Sequence, residues 1–449
     1  MTTALILAAG MGTRMNSSLP KVLHPLGGKA MVHHVIDLAL SMNMERVIVV
    51  ASPYLDEDMV ISGRQIELAI QEHALGTGDA VRVGVDHLND YEGDILILSG
   101  DVPLIEFETL APLFNKRELY PNDLLVLAMH VDDPRQYGRL ITTDDIVDGI
   151  VEYKDATPEQ RTIKLCNAGV YLIPAATLRT LLPLLSAQNA AGELYLTDII
   201  ELAKAQGLIS RYVETPHPET LNGINNRAEL AQAEKIMQTR WRQRMMLSGV
   251  TLIDPDSVFF AHDTIVGKDT IIHPNVTFAP GVIVGNDATI YPFCHLDNCV
   301  LNTGAKIGPF AHLRTGAIIG EKAVVGNFVE IKDTSLGEKA KVKHLSYLGN
   351  AQIGDRTNIG AGTITCNYDG FNKSPTHIGN DAFIGSNTSL VAPIHVGEGA
   401  IVAAGSVITD NVPEHSLGIA RQQQVNKPVW AKNFRTTASE LKLEKTQKP

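Results

Sequence analysis

The sequence predicts two dissimilar folds in series: a parallel α/β domain, then a three-sided β-solenoid, joined by one long helix. Three observations predict it. Residues 1 to about 225 alternate short β-branched apolar runs with helical stretches. Residues 226–248 (NRAELAQAEKIMQTRWRQRMMLS) are rich in helix formers and hold neither Gly nor Pro. From Val266 onward an apolar residue returns every six positions.

Taken in order, residues 4–8, 46–51, 94–99 and 123–130 read as strands, each closed by Gly, Asp or Pro. Residues 30–39 and 78–88 read as helices between them. This alternation implies a parallel sheet with helices on both faces, and loops at the carboxyl ends of such strands make the binding crevice. In the second half the six-residue series runs Val266, Ile272, Phe278, Val284, Ile290, Leu296. It continues at Ile307, Leu313, Ile319, Val325 and Ile331, slips by one to Leu336, Val342 and Leu348, and slips again to Ile353 and Ile359. After a break it resumes from Ile378 to Ile408. Small or branched residues such as Ala311, Ala323, Ala340, Thr357 and Ala382 sit four places after the apolar one. One short side per repeat, three sides per coil and stacked coils give a triangular prism. Residues 366–377 (CNYDGFNKSPTH) are too long for a corner and predict a protruding loop. The tail after Arg421 turns polar and reads as loosely ordered. The predicted domains are therefore 1–225, a linker helix 226–248, and 249–449.

Of the 449 residues, 44% are hydrophobic and 20% charged, which excludes a disordered chain. The apolar runs are strand-sized, which predicts no bilayer-spanning helix, and the opening MTTALILAAGMGTR is too short and glycine-rich for a signal peptide. The four cysteines, Cys166, Cys294, Cys299 and Cys366, fit no metal-ligand spacing and read as reduced thiols of a cytosolic protein. A net charge of −12 without a basic block argues against nucleic acid and anionic membranes as partners. Local phosphate sites built from backbone amides and a few cations remain open to such a chain.

The first such site follows the first strand: Leu7-Ala8-Ala9-Gly10-Met11-Gly12-Thr13-Arg14-Met15, with Leu19-Pro20-Lys21 close behind. The loop is neither a GxxxxGK[ST] phosphate loop nor a complete dinucleotide fingerprint. The pair of segments resembles the sugar-nucleotide pyrophosphorylase family, whose signature is LAAGxGTRM followed by PK. Further segments match in order: Gln71 before Leu75-Gly76-Thr77-Gly78, Ser99-Gly100-Asp101, Tyr137-Gly138-Arg139, Val151-Glu152, Asn167-Ala168-Gly169 and Gly223-Ile224-Asn225-Asn226. Taken singly, Asp101 reads as a turn cap and Glu152 as a solvated strand residue; their order along the chain favours a site. Ser99 stands where some relatives have Tyr, and Ala168 where some have Thr.

In the solenoid, Asn327-Phe328-Val329-Glu330-Ile331-Lys332, then His344-Leu345-Ser346-Tyr347, then residues 358–370 (NIGAGTITCNYDG) extend the resemblance to nearly the whole chain, from Leu5 to Arg421. The sequence is identified as a member of the bacterial bifunctional N-acetylglucosamine-1-phosphate uridylyltransferase/glucosamine-1-phosphate N-acetyltransferase family. The resemblance implies a Rossmann-like α/β nucleotidyltransferase domain and a left-handed parallel β-helix of hexapeptide repeats. It implies a cytoplasmic homotrimer packed along its prisms, with the acetyl-transfer site between subunits.

By the same resemblance, UTP and the UDP-sugar contact Leu7, Ala8, Ala9, Gly10, Gly12, Thr13, Arg14, Lys21, Gln71, Gly76, Thr77, Ser99, Gly100 and Asp101, and further on Gly138, Glu152, Asn167 and Asn225. Asp101 and Asn225 would hold Mg²⁺, a hard cation that takes oxygen donors and keeps several waters. His344 would be the general base of acetyl transfer, since imidazole titrates near neutrality. Arg314 and Lys332 would bind the acceptor's phosphate, and Tyr347 and Asn358 its sugar. Ala361, Asn367, Tyr368, Ser386, Ala404 and Arg421 would line the acetyl-CoA groove, with Lys373 reaching its phosphates. Glu330 is expected to orient His344, and Lys343 stands where relatives have Gly. Two other readings compete: a monofunctional pyrophosphorylase whose β-helix is a scaffold, and a nucleotide-sensing protein without turnover.

Overall fold

The computed structural model describes residues 1–10 and 12–446. Met11 of the glycine loop and the last three residues of the tail lie outside them. The chain forms two compact units, one of Met1–Arg244 with Phe260–His262, the other of Met245–Phe259 with the residues from Asp263 onward. The helix Arg227–Leu247 lies in the stretch that the composition predicts.

Among the described residues the first unit holds a nine-stranded sheet. Its strands are β1 (Thr2–Leu7), β2 (Val47–Ala51), β3 (Glu67–Ile70), β4 (Asp94–Ser99), β5 (Leu124–His130), β6 (Arg139–Thr143), β7 (Ile146–Val151), β8 (Leu165–Pro174) and β9 (Ser210–Glu214). They lie in the order β3-β2-β1-β4-β8-β5-β9-β7-β6. The central strands are apolar throughout because both faces are covered. Ala4, Ile6, Val49, Leu96 and Leu98 face one core with the helix Met31–Ser41. Leu5, Ile48, Val50, Ile95 and Ile97 face the other with the helix Thr77–His87.

The sheet departs from the expected all-parallel one: β8 runs antiparallel between β4 and β5. The β6–β7 hairpin reverses the chain without a helical crossover, so the next strand returns in the opposite sense. Register brings the candidate loops together. Leu7 pairs with both Val50 and Ser99, Gly100 N donates to Leu7 O at 2.9 Å, and Gln71 N donates to Ala51 O at 2.9 Å. The loops after β1, β3 and β4 therefore leave one edge of the sheet side by side.

The second unit is a left-handed parallel β-helix. Short strands stack in three parallel columns, for example Ile271, Thr289, Lys306, Val324, Lys341 and Asn358 in successive coils. Inside, three apolar stacks fill the prism. One is Ile272, Ile290, Ile307, Val325 and Val342, and another is Leu296, Leu313, Ile331 and Leu348, all buried. The small residues pack flush at the corners: Ala305, Ala317, Ala323, Ala340, Thr357 and Thr363 are fully buried.

The turns need left-handed backbone, which Asp269, Asn275, Asp287 and Asn387 supply at low cost. Phe293, Phe310 and Phe328 adopt it as well, at φ 61°, 54° and 54°. Their rings stack with centroids 5.0 and 5.1 Å apart, which offsets the steric cost.

The protruding loop is shorter than residues 366–377: Cys366 still pairs with Val391, and Thr376 and His377 pair with Ala351 and Gln352, so residues 367–375 leave the prism, between Asn358 and Phe383, which still pair. Asp369 Oδ1 accepts from Phe371 N at 2.7 Å and Asn372 N at 2.6 Å, folding the loop back on itself. The tail differs from expectation. Trp430–Thr446 is a helix, because WAKNFRTTASELKLEKT contains no Gly or Pro and Trp430 stacks on Phe434 one turn later, 5.3 Å between centroids. The four cysteines are free thiols.

Two candidate active sites

The first site lies at the carboxyl edge of the first sheet. Leu7, Ala8, Ala9, Gly10, Lys21, Gln71, Gly76, Thr77, Ser99 and Asp101 line one cleft of about 310 Å³. Arg14 and Asn225 line a neighbouring cleft of about 460 Å³ with Tyr137 and Gly223. Lys21 joins the two: its Nζ donates to Asp101 Oδ2 and, at 3.1 Å, to Asn225 Oδ1. Arg14 Nη2 also reaches Asn225 Oδ1, at 3.1 Å. Two oxygen donors from distant segments thus converge on one cationic group, and oxygen is the donor type that a hard divalent ion takes. Ile224 N donates to Asp101 O at 3.0 Å and Glu229 Oε2 accepts from Asn225 N at 2.6 Å, fixing both donors. Among the described residues no three His, Cys, Asp or Glu side chains converge as a metal cage.

Glycines matter at two points. Gly76, at φ 121°, opens the helix Thr77–His87, and a Cβ there would lie 2.5 Å from the Leu194 carbonyl. Gly12, at φ 62°, lets the loop pack on Lys21, so a side chain there would displace the lysine. Thr13 follows in a 3₁₀ turn, and Gly100 seats against β1. Gln71 is buried, its Nε2 donating to Gly76 O at 3.2 Å and Asp79 Oδ2 at 2.8 Å, which leaves Oε1 to accept.

Gly138, Glu152 and Asn167 form a third cluster outside the cleft of Asp101. A Cβ on Gly138 would lie 3.4 Å from Glu152 Oε1, and Gly138 O accepts from Asn167 N at 2.8 Å. Burial pushes the Glu152 carboxyl above its usual range, Thr197 Oγ1 donates to it at 3.1 Å, and Asp198 and Asp155 push it up further. Thr197 and Asp79, the partners of Glu152 and Gln71, carried no signal in the sequence because they are distant in sequence or lack a motif of their own.

The second site lies on the prism. His344 is exposed, and its Nδ1–H donates to Asn327 Oδ1 at 2.7 Å, on the coil below. The expected partner Glu330 is elsewhere: it accepts from Arg314 Nη1 at 2.7 Å. The reason is register. Asn327 pairs directly with His344, whereas Glu330 pairs with Tyr347 in a different column. Arg314 and Lys332 occupy successive coils of that other column, where Arg314 N donates to Ile331 O at 2.8 Å.

His344, Ala361, Ser386 and Ala404 belong to one stacked corner: Gly362 N donates to His344 O at 3.3 Å, Asn387 N to Ala361 O at 2.7 Å and Gly405 N to Ser386 O at 2.8 Å. Arg421 lies near its far end, where a Cβ on Gly405 would sit 4.0 Å from Arg421 Cδ. Asn358 lies in the coil above Lys341. Asn367 is buried and donates to Asn350 Oδ1 at 2.7 Å, and Tyr368 pairs with Lys373 across the protruding loop. Asn327 was missed from sequence, although its position one coil before His344 could have located it.

Three family models match successive parts of the chain. Residues 4–203 match the MobA-like NTP transferase domain family, 255–354 the GMPPB C-terminal domain and 375–410 the hexapeptide repeat of succinyl-transferase. A nucleotidyltransferase unit followed by a hexapeptide acyltransferase unit defines a bifunctional transferase.

Among curated relatives, the bifunctional protein GlmU of Paramagnetospirillum magneticum is 48% identical, covering 98% of each chain. That of Paracoccus denitrificans is 49% identical over 94% of this chain and 95% of its own. That of Cereibacter sphaeroides is 50% identical over 95% and 94%. The chain belongs to the family of bifunctional GlmU proteins. Its β-helix is an acyltransferase unit and not only a scaffold. Among the described residues no helix is long and apolar enough to cross a membrane.

Proposed function

We propose that the β-helix, residues 249–449, acetylates glucosamine 1-phosphate with acetyl-CoA, and that residues 1–225, carried on the helix 226–248, couple the product to UTP. The products would be UDP-N-acetylglucosamine and pyrophosphate, for cell-envelope polymers. We place the protein in the cytoplasm as a homotrimer.

In uridylyl transfer, a sugar-phosphate oxygen attacks the α-phosphorus in line, and the protein supplies position and charge. Gly10 and its neighbours seat the phosphates, and Gln71 Oε1 accepts from the base. Lys21 and Arg14 neutralise the charge that builds on the leaving pyrophosphate. Asp101 and Asn225 would hold Mg²⁺, which when bound adds Lewis-acid charge stabilisation.

In acetyl transfer, the amine attacks the thioester carbonyl and the C–S bond breaks; His344 takes the proton that the amine loses, and the departing CoA thiolate is protonated to the free thiol. Asn327 holds Nδ1–H, so Nε2 carries the free lone pair. The Arg314 guanidinium and Lys332 attract the phosphate.

The observation that supports this reading most is the pairing of His344 with Asn327 in the same chain as the Lys21–Asp101–Asn225 node. The test compares wild type with His344→Ala and Asp101→Ala. Thiol release from acetyl-CoA with glucosamine 1-phosphate should vanish only in the first variant. Pyrophosphate release from UTP, Mg²⁺ and N-acetylglucosamine 1-phosphate should vanish only in the second. A wild type that releases pyrophosphate but no thiol would overturn the acetyltransferase assignment.

A further inference from the structure

We infer that Arg139 is a positioning residue for the sugar side of uridylyl transfer, holding Gly138 and Glu152 at the spacing that a sugar ring meets. The inference rests on the uridylyltransferase reading above. Arg139 is 1% exposed, as deep as the core apolar residues around it. Its Nη1 donates to Tyr137 O, and its Nη2 to Arg135 O at 2.9 Å and Arg161 O at 3.3 Å. Its Nε is buried without a partner. The guanidinium lies 5.4 Å from the Tyr153 ring centroid, and Arg161 lies 4.6 Å from the same ring. Among the described residues no carboxylate forms an ion pair with it.

A buried cation held only by carbonyls and a ring is costly, and an apolar side chain would fill the volume without that cost. The fork does what an apolar chain cannot. It gathers carbonyls from two segments, 135–137 and the turn Gln160–Thr162, which lie on the two chain stretches flanking the β6–β7 hairpin. Gly138 sits directly after the first segment, against Glu152 and Asn167. Burial opposes the ionisation of Glu152 most; Asp198 and Asp155 oppose it too, Thr197 donates to it, Arg139 favours ionisation most weakly, and the phenols of Tyr171 and Tyr195 also face it. An ionised Glu152 accepts hydrogen bonds from sugar hydroxyls; a protonated one loses acceptor capacity. Arg139 thus sets the shape of this cluster and adds a weak bias toward an ionised Glu152.

The experiment uses the full chain as wild type, Arg139→Lys, Arg139→Met and Tyr153→Leu. Pyrophosphate release is measured against N-acetylglucosamine 1-phosphate and against UTP, from about pH 8 to about pH 6. Thiol release from the same preparations reports the other unit. Arg139→Met should raise KM for the sugar phosphate about tenfold or more. KM for UTP and thiol release should stay within about twofold, a change near the limit of additive, independent sites. The KM penalty should grow as pH falls, because Glu152 protonates sooner. Arg139→Lys, which keeps the charge but not the fork, should be intermediate and show less of the pH effect. Tyr153→Leu loosens the same cluster and should repeat the effect in milder form if Arg139→Met does not fold. A fall in kcat with both KM values unchanged would overturn the inference. A wild type that makes no pyrophosphate would instead overturn the uridylyltransferase reading itself.

Discussion

His344 and Asn327 are seventeen positions apart and meet at 2.7 Å because one coil of the prism separates them. The amide oxygen can only accept, so it selects the Nδ1–H tautomer and stops the ring turning. Asn327→Ala should lower kcat for acetyl transfer by about tenfold to a hundredfold, part of the range attributed to general base catalysis. Thiol release at saturating substrates measures it, and KM for the acceptor should hardly move. A kcat equal to wild type would show that the ring needs no anchor. His344 itself was legible in the sequence, because its surroundings match a motif. Asn327 was not, since its role depends on which residue of the previous coil lies beneath the histidine. The choice of Glu330 failed for the same reason: it is three residues further on and belongs to another side of the prism.

At the scale of elements, the helix Met31–Ser41 is tied to its surroundings through Asp37. Arg64 Nε donates to Asp37 Oδ1 at 2.5 Å and Lys29 Nζ to Oδ2 at 2.7 Å. Burial alone would raise this carboxyl, but the two cations outweigh it and hold it down at about 2. A carboxyl below its unfolded value stabilises the fold above about pH 4, and that contribution is lost as pH falls toward about 2. With 39% of its side chain exposed, solvent screening reduces the effect to about 1 kcal/mol. Asp37→Asn should therefore cost about 1 kcal/mol at neutral pH and less and less on acidification. Urea unfolding at neutral pH and at about pH 3 measures the difference, and a constant cost at both would refute it. The turns of the β-helix show what element-level reading misses. Hexapeptide spacing marks the repeats, yet it did not single out Phe293, Phe310 and Phe328 as left-handed positions. Their stacking along the prism makes that conformation tolerable.

At the scale of the whole molecule, each candidate site is built within its own unit: Lys21, Asp101 and Asn225 in one, Asn327 and His344 in the other. An intermediate made at one site is then expected to diffuse to the other. A mixture of the Asp101→Ala and His344→Ala chains should convert glucosamine 1-phosphate, acetyl-CoA and UTP to UDP-N-acetylglucosamine. Added unlabelled N-acetylglucosamine 1-phosphate should dilute the label in that product. If each variant retains its own half reaction and the mixture makes no product, free diffusion is refuted.

The two periods in the sequence, alternation in the first half and six in the second, determined the class of each half, a layered α/β sheet and a solenoid, but neither the antiparallel strand β8 nor the hand of the solenoid. Periodicity reports which side of a local element is buried, and local sequence carries that information. Glycine loops and the PK segment marked the phosphate cleft for the same reason: backbone approach to an anion needs small residues in consecutive positions. Only the tertiary structure decided the pairings. Lys21 with Asp101 and Asn225, Asn327 with His344, Glu330 with Arg314 and the carbonyls around Arg139 all join residues from different strands or coils. Which of them meet depends on sheet order and coil register, and a register change of one residue exchanges every partner.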